Sequence, residues 1–235
     1  MPGGALAIKK PYRMALGYLL SAEAFEPEGR VADWIDPELT RAFLDRLDPR
    51  EVEVVRVQLA RGLNAPVASS AGRLFDAAAS LLGIRDVAEY EAQAAVELEL
   101  LAEEGSVRPL PYQIVRQDGQ SDGTSLLVYD PRPTLRALLE GRAEGVPVER
   151  LAARFQETVA AVTRQLCGDI RAATGLRALA LSGGVFQNQW LATTLVRRLS
   201  RDGFEVHTNQ QVPANDGGIS YGQAAVAAAR LAGAT

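Results

Sequence analysis

The feature that most constrains the fold is an apolar segment that leads into a pair of glycines and then a helical segment near the end of the chain. Leu176 to Leu181 is a short apolar run of the kind that forms a buried strand. Ser182-Gly-Gly follows it, and the apolar residues of Gln189 to Ser200 have helical spacing. Glu205 to Thr208 has the composition of a second strand. This order of strand, helix and strand predicts an α/β fold.

Most of the chain before residue 110 is predicted to be helical, because apolar residues recur there at three- and four-residue intervals. The predicted helices cover Pro11 to Leu20, Pro37 to Arg61, Gly72 to Leu82 and Tyr90 to Glu103. Ser69-Ser70 can cap the third helix, and Gly83 can close it.

Pro109 and Pro111 interrupt this helical region, and two predicted strands follow. We therefore place a boundary near residue 110, between a mainly helical part of a first lobe (1–110) and an α/β second lobe (111–235). The strands are Tyr112 to Arg116 and Ser125 to Tyr129, joined by the turn-rich segment Asp118 to Thr124, and the later helices are Pro131 to Gly141, Pro147 to Gly175 and Gly222 to Ala232.

Composition and charge exclude several classes of protein. The net charge is −4, and no long basic run occurs, so nucleic acid is not an expected partner. No run approaches the roughly 20 apolar residues of a membrane span, so a membrane is not expected either. The single cysteine, Cys167, cannot form an intramolecular disulfide, and a cytoplasmic location is the simplest expectation.

The two glycine motifs each have two interpretations. Gly183 and Gly184 precede a helix start, where backbone N–H groups favour an anion, but a strand–glycine–helix turn also occurs without any ligand. Asp216, in Asn215-Asp-Gly-Gly, could bind a metal or cap the helix that follows. A cap is the more common role for an isolated Asp-Gly-Gly, since hard-metal sites need several oxygen ligands.

Several blocks of sequence, taken together, resemble the C-terminal part of the HypF family of hydrogenase maturation carbamoyltransferases, a threonylcarbamoyl-transferase-like domain. They cover nearly the whole chain. The blocks are Pro2-Gly-Gly, Pro11-Tyr-Arg-Met-Ala15, Ser69-Ser-Ala-Gly-Arg-Leu-Phe-Asp76, Tyr90-Glu-Ala-Gln-Ala-Ala-Val-Glu-Leu-Glu99, Ser182-Gly-Gly-Val-Phe-Gln-Asn188, Gly203-Phe-Glu-Val and Pro213 to Gln223.

The resemblance implies an actin-like ATPase or sugar-kinase-type lobe, ribonuclease H-like, with an additional mainly helical region. It also implies that the second lobe binds ATP or carbamoyl-adenylate and that a carbamoyl group passes to the C-terminal cysteine of a HypE-like acceptor protein. The family's acylphosphatase-like and YrdC-like domains and its metal-binding histidine pair would lie before residue 1. The missing N-terminal part of the enzyme is therefore an expected partner.

The resemblance also assigns roles to individual residues, none of them catalytic. The nucleotide-binding residues would be Ser70, Gly72, Arg73, Asp76, Glu97, Ser182, Gly183, Gly184 and Asn188, and Asp216 would be a metal ligand. A divalent metal (Fe, Zn or Mg) is expected only if the missing ligands are supplied from elsewhere. Two departures from the family pattern are Ala92, where the family has glycine, and Gln156, where it commonly has histidine.

Other interpretations stay open at this point. Arg73 and Asp76 could form an exposed helix pair, and Glu97 could be a solvated residue of an Ala/Glu-rich helix. The whole chain could be a non-catalytic nucleotide-binding or interaction module, one half of a split enzyme, or a small-molecule O-carbamoyltransferase.

Overall fold

A computed structural model describes residues 1–20, 35–118 and 125–233, and it shows an α/β chain. The helices α1 to α5 are Leu6–Lys9, Pro11–Leu20, Pro37–Leu44, Pro49–Arg61 and Ala71–Leu81. The elements that follow are α6 (Gln93–Leu101), β1 (Gln113–Asp118), β2 (Ser125–Asp130), α7 (Arg132–Ala143), α8 (Val148–Thr174), β3 (Ala178–Leu181), α9 (Gln189–Arg201), β4 (Glu205–Thr208) and α10 (Ile219–Leu231).

The single helix predicted over Pro37 to Arg61 is wrong, because two helices occupy that range. Each begins with an Asp-Pro pair in which the aspartate caps the helix and the proline occupies its first turn. The Asp48 side chain accepts a hydrogen bond from the Arg50 amide at 2.8 Å, which starts a new helix only four residues after α3 ends. Gly62 closes α4 in a left-handed conformation, with φ of 62°.

Packing divides the chain into two units, residues 1–162 and 163–235, and the division falls inside α8. The predicted lobes, 1–110 and 111–235, meet at a different place, so that assignment stays a prediction. None of the described helices combines the length and the apolarity that a membrane span requires.

The core of the first unit forms around α5, which packs against α2 and α6. Ala77, Ala78 and Ala79 are fully buried, and such small side chains let helices approach closely. Phe75 meets Phe155 of α8 edge to face, with ring centroids 5.0 Å apart and an interplanar angle of 81°. Burying one such aromatic side chain stabilises the fold by roughly 2–3 kcal/mol, so these contacts fix the position of α5.

The two strands predicted after Pro111 are confirmed as an antiparallel pair. In the register of β1 and β2, Gln113 lies opposite Asp130 and Val115 lies opposite Val128. The turn predicted to join them lies outside the described residues, apart from its first residue, Asp118.

The second unit contains the predicted strand, helix and strand, but the expectation that the first strand is buried is wrong, because only Leu181 of β3 is buried. β3 and β4 pair in parallel, with Ala178 beside Glu205 and Leu181 beside Thr208. Leu191, Leu195 and Leu199 recur at four-residue intervals on α9 and are almost fully buried. In contrast, α10 begins three residues earlier than predicted, and none of its residues is buried. The second unit therefore ends in an apolar helix that faces solvent.

Candidate functional site

The loop after β3 has a backbone that only glycine adopts readily. Gly183 has φ of 107° and ψ of 159°, a region in which any Cβ is strained. Its amide donates a hydrogen bond to the Ala214 carbonyl at 2.7 Å. Since Ala214 lies two residues before Asp216, this bond brings the two predicted glycine motifs together. The loop and the Asp216 turn therefore form one surface of the second unit.

Gly184 differs from Gly183, because nothing in the described protein requires a glycine there. It begins the 3₁₀ turn Gly184–Gln187 without a positive φ, and a Cβ added to it would meet no atom within 4 Å. Neither backbone strain nor packing explains the residue. Close approach of a ligand to the backbone would explain it.

Asn188 connects the loop to α9 as its N-cap. The Asn188 Oδ1 atom accepts a hydrogen bond from the Leu191 amide at 2.7 Å, and the residue is only 9% exposed. The structure therefore shows a capping role for Asn188.

The turn that contains Asp216 is held by its neighbours. Asn215 Oδ1 accepts a hydrogen bond from the Gly217 amide at 3.1 Å, and a Cβ on Gly218 would meet the Pro213 carbonyl oxygen at 2.7 Å. Asp216 itself is exposed and does not cap α10, whose N-cap residue is Gly218 without a side-chain bond. The cap predicted for an isolated Asp-Gly-Gly is therefore made by Asn215, and it serves the turn instead of the helix.

The predicted metal site is not assembled by this part of the chain. Among the described residues, no group of three or more His, Cys, Asp or Glu side chains is placed to hold a metal ion. One exposed carboxylate supplies at most two oxygens, whereas divalent cations of the hard type need about six. Asp216 alone does not fit a bound metal.

Four of the five predicted residues of the first unit lie at or near the start of α5, and the fifth, Glu97, lies on α6. Ser70 is the N-cap residue by position, but its side chain makes no capping hydrogen bond. A Cβ on Gly72 would approach the Ser70 hydroxyl no closer than 3.7 Å, so packing does not require glycine there. The first turn of α5 therefore presents a hydroxyl and a bare stretch of backbone.

Arg73 and Asp76 form an ion pair one turn apart on α5, with 2.7 Å between Arg73 Nη1 and Asp76 Oδ2. Their side chains are 13% and 3% exposed, so the pair is buried and the alternative of an exposed helix pair is wrong. Burial raises the pKa of the Asp76 carboxyl to about 6, and the Arg73 guanidinium opposes this rise only in part. Asp76 is positioned to orient Arg73, which is the more exposed of the two.

Glu97 is held by two side chains, so it is not a freely solvated residue. Arg85 Nε donates to Glu97 Oε2 at 2.8 Å, and Arg85 Nη2 donates to Glu97 Oε1 at 2.6 Å. Gln93, one helical turn earlier, donates to Glu97 Oε1 at 2.8 Å. The hydrogen bonds from Arg85 hold the pKa of Glu97 below its ordinary value. Glu97 is therefore a fixed, ionised acceptor.

Sequence reasoning missed both partners of Glu97. Gln93 lies four residues before Glu97, a spacing that could have indicated contact on one helix face. Arg85 lies twelve residues away across a loop, and no local pattern indicates that contact. Ala92, at the start of α6, has φ of 63° and ψ of 9°. This left-handed conformation explains physically why the family pattern has glycine there.

The predicted residues fall into two groups, one within each packing unit: Ser70, Gly72, Arg73, Asp76 and Glu97 in the first, and Ser182, Gly183, Gly184, Asn188 and Asp216 in the second. Burial raises the pKa of the Cys167 thiol on α8, which keeps it protonated. The chemistry available is recognition of an anion and of hydroxyl groups.

Comparison with known proteins identifies the family of this chain. A family model described as "Carbamoyltransferase, Kae1-like Domain, second subdomain" matches residues 1–223. Carbamoyltransferase HypF2 of Cupriavidus necator is 36% identical over 98% of this chain and 29% of its own length. Carbamoyltransferase HypF of Rhodobacter capsulatus is 40% identical over 80% of this chain and 23% of its own length.

Two solved structures are similar over nearly the whole chain. A full-length HypF in its phosphate- and nucleotide-bound form aligns with a TM-score of 0.83 and 39% identity, over 96% of this chain and 27% of that one. HypF of T. kodakarensis aligns with a TM-score of 0.73 and 25% identity, over 100% of this chain and 29% of that one. The chain thus spans less than a third of the length of each of these relatives. It belongs to the HypF carbamoyltransferase family and corresponds to the second subdomain of that family's Kae1-like domain.

Proposed function

We propose that this chain is the nucleotide-binding part of a HypF-type carbamoyltransferase that acts in hydrogenase maturation. The observation that carries the proposal is the glycine loop after β3, where Gly183 has φ of 107° and a Cβ on Gly184 would meet no atom within 4 Å, so that the backbone is accessible to a ligand. A similar full-length HypF is described in a phosphate- and nucleotide-bound form, which supports a nucleotide as the ligand.

Each packing unit contributes its own group of proposed nucleotide-binding residues, and the two groups are considered separately. The backbone at Ser182, Gly183 and Gly184 would approach the phosphates because the two glycines have no side chain to block a ligand, although the Gly183 amide already donates to the Ala214 carbonyl. Asn188 would fix the loop by capping α9. In the first unit, the start of α5 would supply Ser70, Gly72 and Arg73, and Glu97 would accept hydrogen bonds from the ribose hydroxyls.

The proposed fold is an actin-like, ribonuclease H-like lobe with an additional helical region. The strands β3 and β4 pair in parallel and are connected by α9. This strand, helix and strand unit supports the assignment, because such units occur in that fold group. The proposed ligand is ATP or carbamoyl-adenylate. In the transfer step, the C-terminal cysteine thiolate of a HypE-like acceptor would attack the carbamoyl carbon. A C–S bond would form, and the C–O bond to the adenylate phosphate would break, releasing AMP.

A metal has no part in this proposal for the chain alone. Asp216 could serve as one oxygen ligand of a divalent Fe, Zn or Mg ion if other ligands came from outside the described residues. The chain's own residues bind and orient the nucleotide, while the attacking thiol belongs to the acceptor protein.

Calorimetric titration with ADP and with ATP tests the proposal. Gly184→Asp places a carboxylate where the phosphates would lie, so we expect its affinity for both nucleotides to fall at least tenfold. Gly168→Asp on α8 is the matched control, because Gly168 also has no atom within 4 Å of an added Cβ and lies away from the loop. Equal binding by the wild type and Gly184→Asp would overturn the site assignment.

One observation favours a second candidate, in which the chain is an interaction module or one half of a split enzyme. Helix α10 has no buried residue, and Ile219, Tyr221 and Val226 are each more than half exposed. Carbamoyltransferase HypF2 of C. necator is more than three times as long as this chain, and we propose that the remainder of such an enzyme covers this helix.

Mixing experiments separate the candidates. The remainder of C. necator HypF2, purified without its matched segment, is combined with this chain and examined by size-exclusion chromatography. Co-elution that Val226→Glu abolishes supports the split enzyme. Separate elution, together with nucleotide binding by the chain alone, supports an independent binding module.

A further inference from the structure

The two side chains that hold Glu97 occupy most of its capacity to accept hydrogen bonds. An ionised carboxylate offers about four acceptor positions on its two oxygens. Arg85 takes one position on each oxygen, and Gln93 takes a second position on Oε1. A single position, on Oε2, remains for any ligand.

Neither partner is easily displaced from Glu97. Gln93 is 5% exposed and is held at both ends, since its Oε1 accepts from the Glu89 amide at 2.7 Å while its Nε2 donates to Glu97. Arg85 is bound through two parallel charge-assisted bonds, the strongest geometry for a guanidinium on a carboxylate. A ribose hydroxyl is a neutral donor, and one new bond from it does not offset the loss of two such bonds.

From this geometry we propose that Arg85 restricts Glu97 to a single ribose hydroxyl, so that the site recognises one of the two hydroxyls and tolerates removal of the other. Without Arg85, the carboxylate could accept both hydroxyls of a ribose diol, one on each oxygen. Arg85 is thus a specificity-determining residue of the nucleotide site. The inference rests on the proposed function, because it requires a nucleotide whose ribose contacts Glu97.

The test compares the affinities of ADP, 2′-deoxy-ADP and 3′-deoxy-ADP for the wild type and for Arg85→Ala. In the wild type, one deoxy analogue should bind within about twofold of ADP, and the other about tenfold or more weakly, as expected for a lost hydrogen bond to a charged group. In Arg85→Ala, both analogues should bind at least fivefold more weakly than ADP. Arg41→Ala, which breaks an exposed ion pair on α3, is the control and should keep the wild-type pattern.

Two further variants guard against misfolding. Arg85→Gln keeps a shorter donor beside Glu97 and should give an intermediate pattern, whereas Glu97→Ala, which removes the acceptor, should bind all three nucleotides with similar affinity. Equal weakening of both analogues in the wild type, or an unchanged pattern in a folded Arg85→Ala, would overturn the role of Arg85. Absence of ADP binding by the wild type would overturn the proposed function itself, and this inference with it.

Discussion

Arg73 Nη1 lies 2.7 Å from Asp76 Oδ2 on α5, and burial rather than the guanidinium dominates the ionisation of Asp76. The raised pKa, about 6 against an ordinary value of 3.8, means that the folded state disfavours the charged carboxyl. This contribution to stability is fully present below about pH 4 and is lost as the pH rises through 6.

We therefore expect a specific pH dependence of unfolding. Between pH 4 and pH 7, the wild type should lose about 3 kcal/mol of unfolding free energy relative to Asp76→Asn, since two pKa units correspond to about that amount. Urea titrations at half-unit pH intervals measure the difference. Asp45→Asn, which removes an exposed carboxylate, controls for charge alone. Parallel curves for the wild type and Asp76→Asn would contradict the prediction.

Ala92 should be a destabilising residue in this chain. Its left-handed conformation costs an L-residue roughly 1–2 kcal/mol, and glycine would remove this cost. The gain is partly offset because glycine has more conformational freedom in the unfolded chain. Ala92→Gly is therefore expected to stabilise the protein by about 0.5–1 kcal/mol in urea unfolding.

The matched control for that change lies two residues away. Ala94 is fully buried within α6, so Ala94→Gly should destabilise by about 1 kcal/mol or more. Opposite signs for the two substitutions would confirm that backbone conformation sets the effect. A loss of stability in both would show that residue 92 is not left-handed.

The two adjacent glycines of the loop should respond differently to alanine. Gly183→Ala forces a Cβ into a glycine-only backbone region and should cost about 1–3 kcal/mol of unfolding free energy. Gly184→Ala meets no protein atom and should change that free energy by less than about 0.5 kcal/mol. Thermal and urea unfolding of both variants would measure this. Equal losses would show that the loop differs from the described conformation.

Asn188 should contribute to stability mainly through its amide oxygen. Asn188→Ala removes the N-cap of α9 and is expected to cost about 1–2 kcal/mol, because the Leu191 amide loses its acceptor in a buried position. Asn188→Asp keeps an oxygen acceptor and should cost less. If the two variants unfold at the same urea concentration, the cap is not the stabilising contact.

The sequence was informative wherever the determining interactions are local. The apolar run before Ser182, the glycine pair and the four-residue spacing on α9 predicted β3, the loop and the helix within about two residues. Local cues also existed for the break before Pro49, where Asp48 caps a new helix, but the continuous apolar spacing outweighed them. The apolar periodicity of this segment therefore predicted its helix content correctly but did not reveal the boundary between α3 and α4.

Tertiary contacts account for what the sequence could not provide. The burial of Asp76 depends on how α5 packs against α2 and α6, and the pairing of Arg85 with Glu97 depends on the path of the loop between α5 and α6. Neither leaves a periodic signal. The sequence therefore identified the carboxylates of the candidate site by residue type. Their ionisation and their partners could be known only from the folded structure.

The last prediction concerns the role of Asp216. A carboxylate that caps a helix contributes to stability, whereas a carboxylate that contacts only a ligand does not. Because Asp216 caps no helix, Asp216→Asn should change the unfolding free energy by no more than about 0.5 kcal/mol. Asn215→Ala, which removes the acceptor for the Gly217 amide, should cost about 0.5–1 kcal/mol and serves as the comparison. If Asp216→Asn destabilised the protein more than Asn215→Ala, the carboxylate would have a structural role. A neutral effect on unfolding would show that the carboxylate has no structural role.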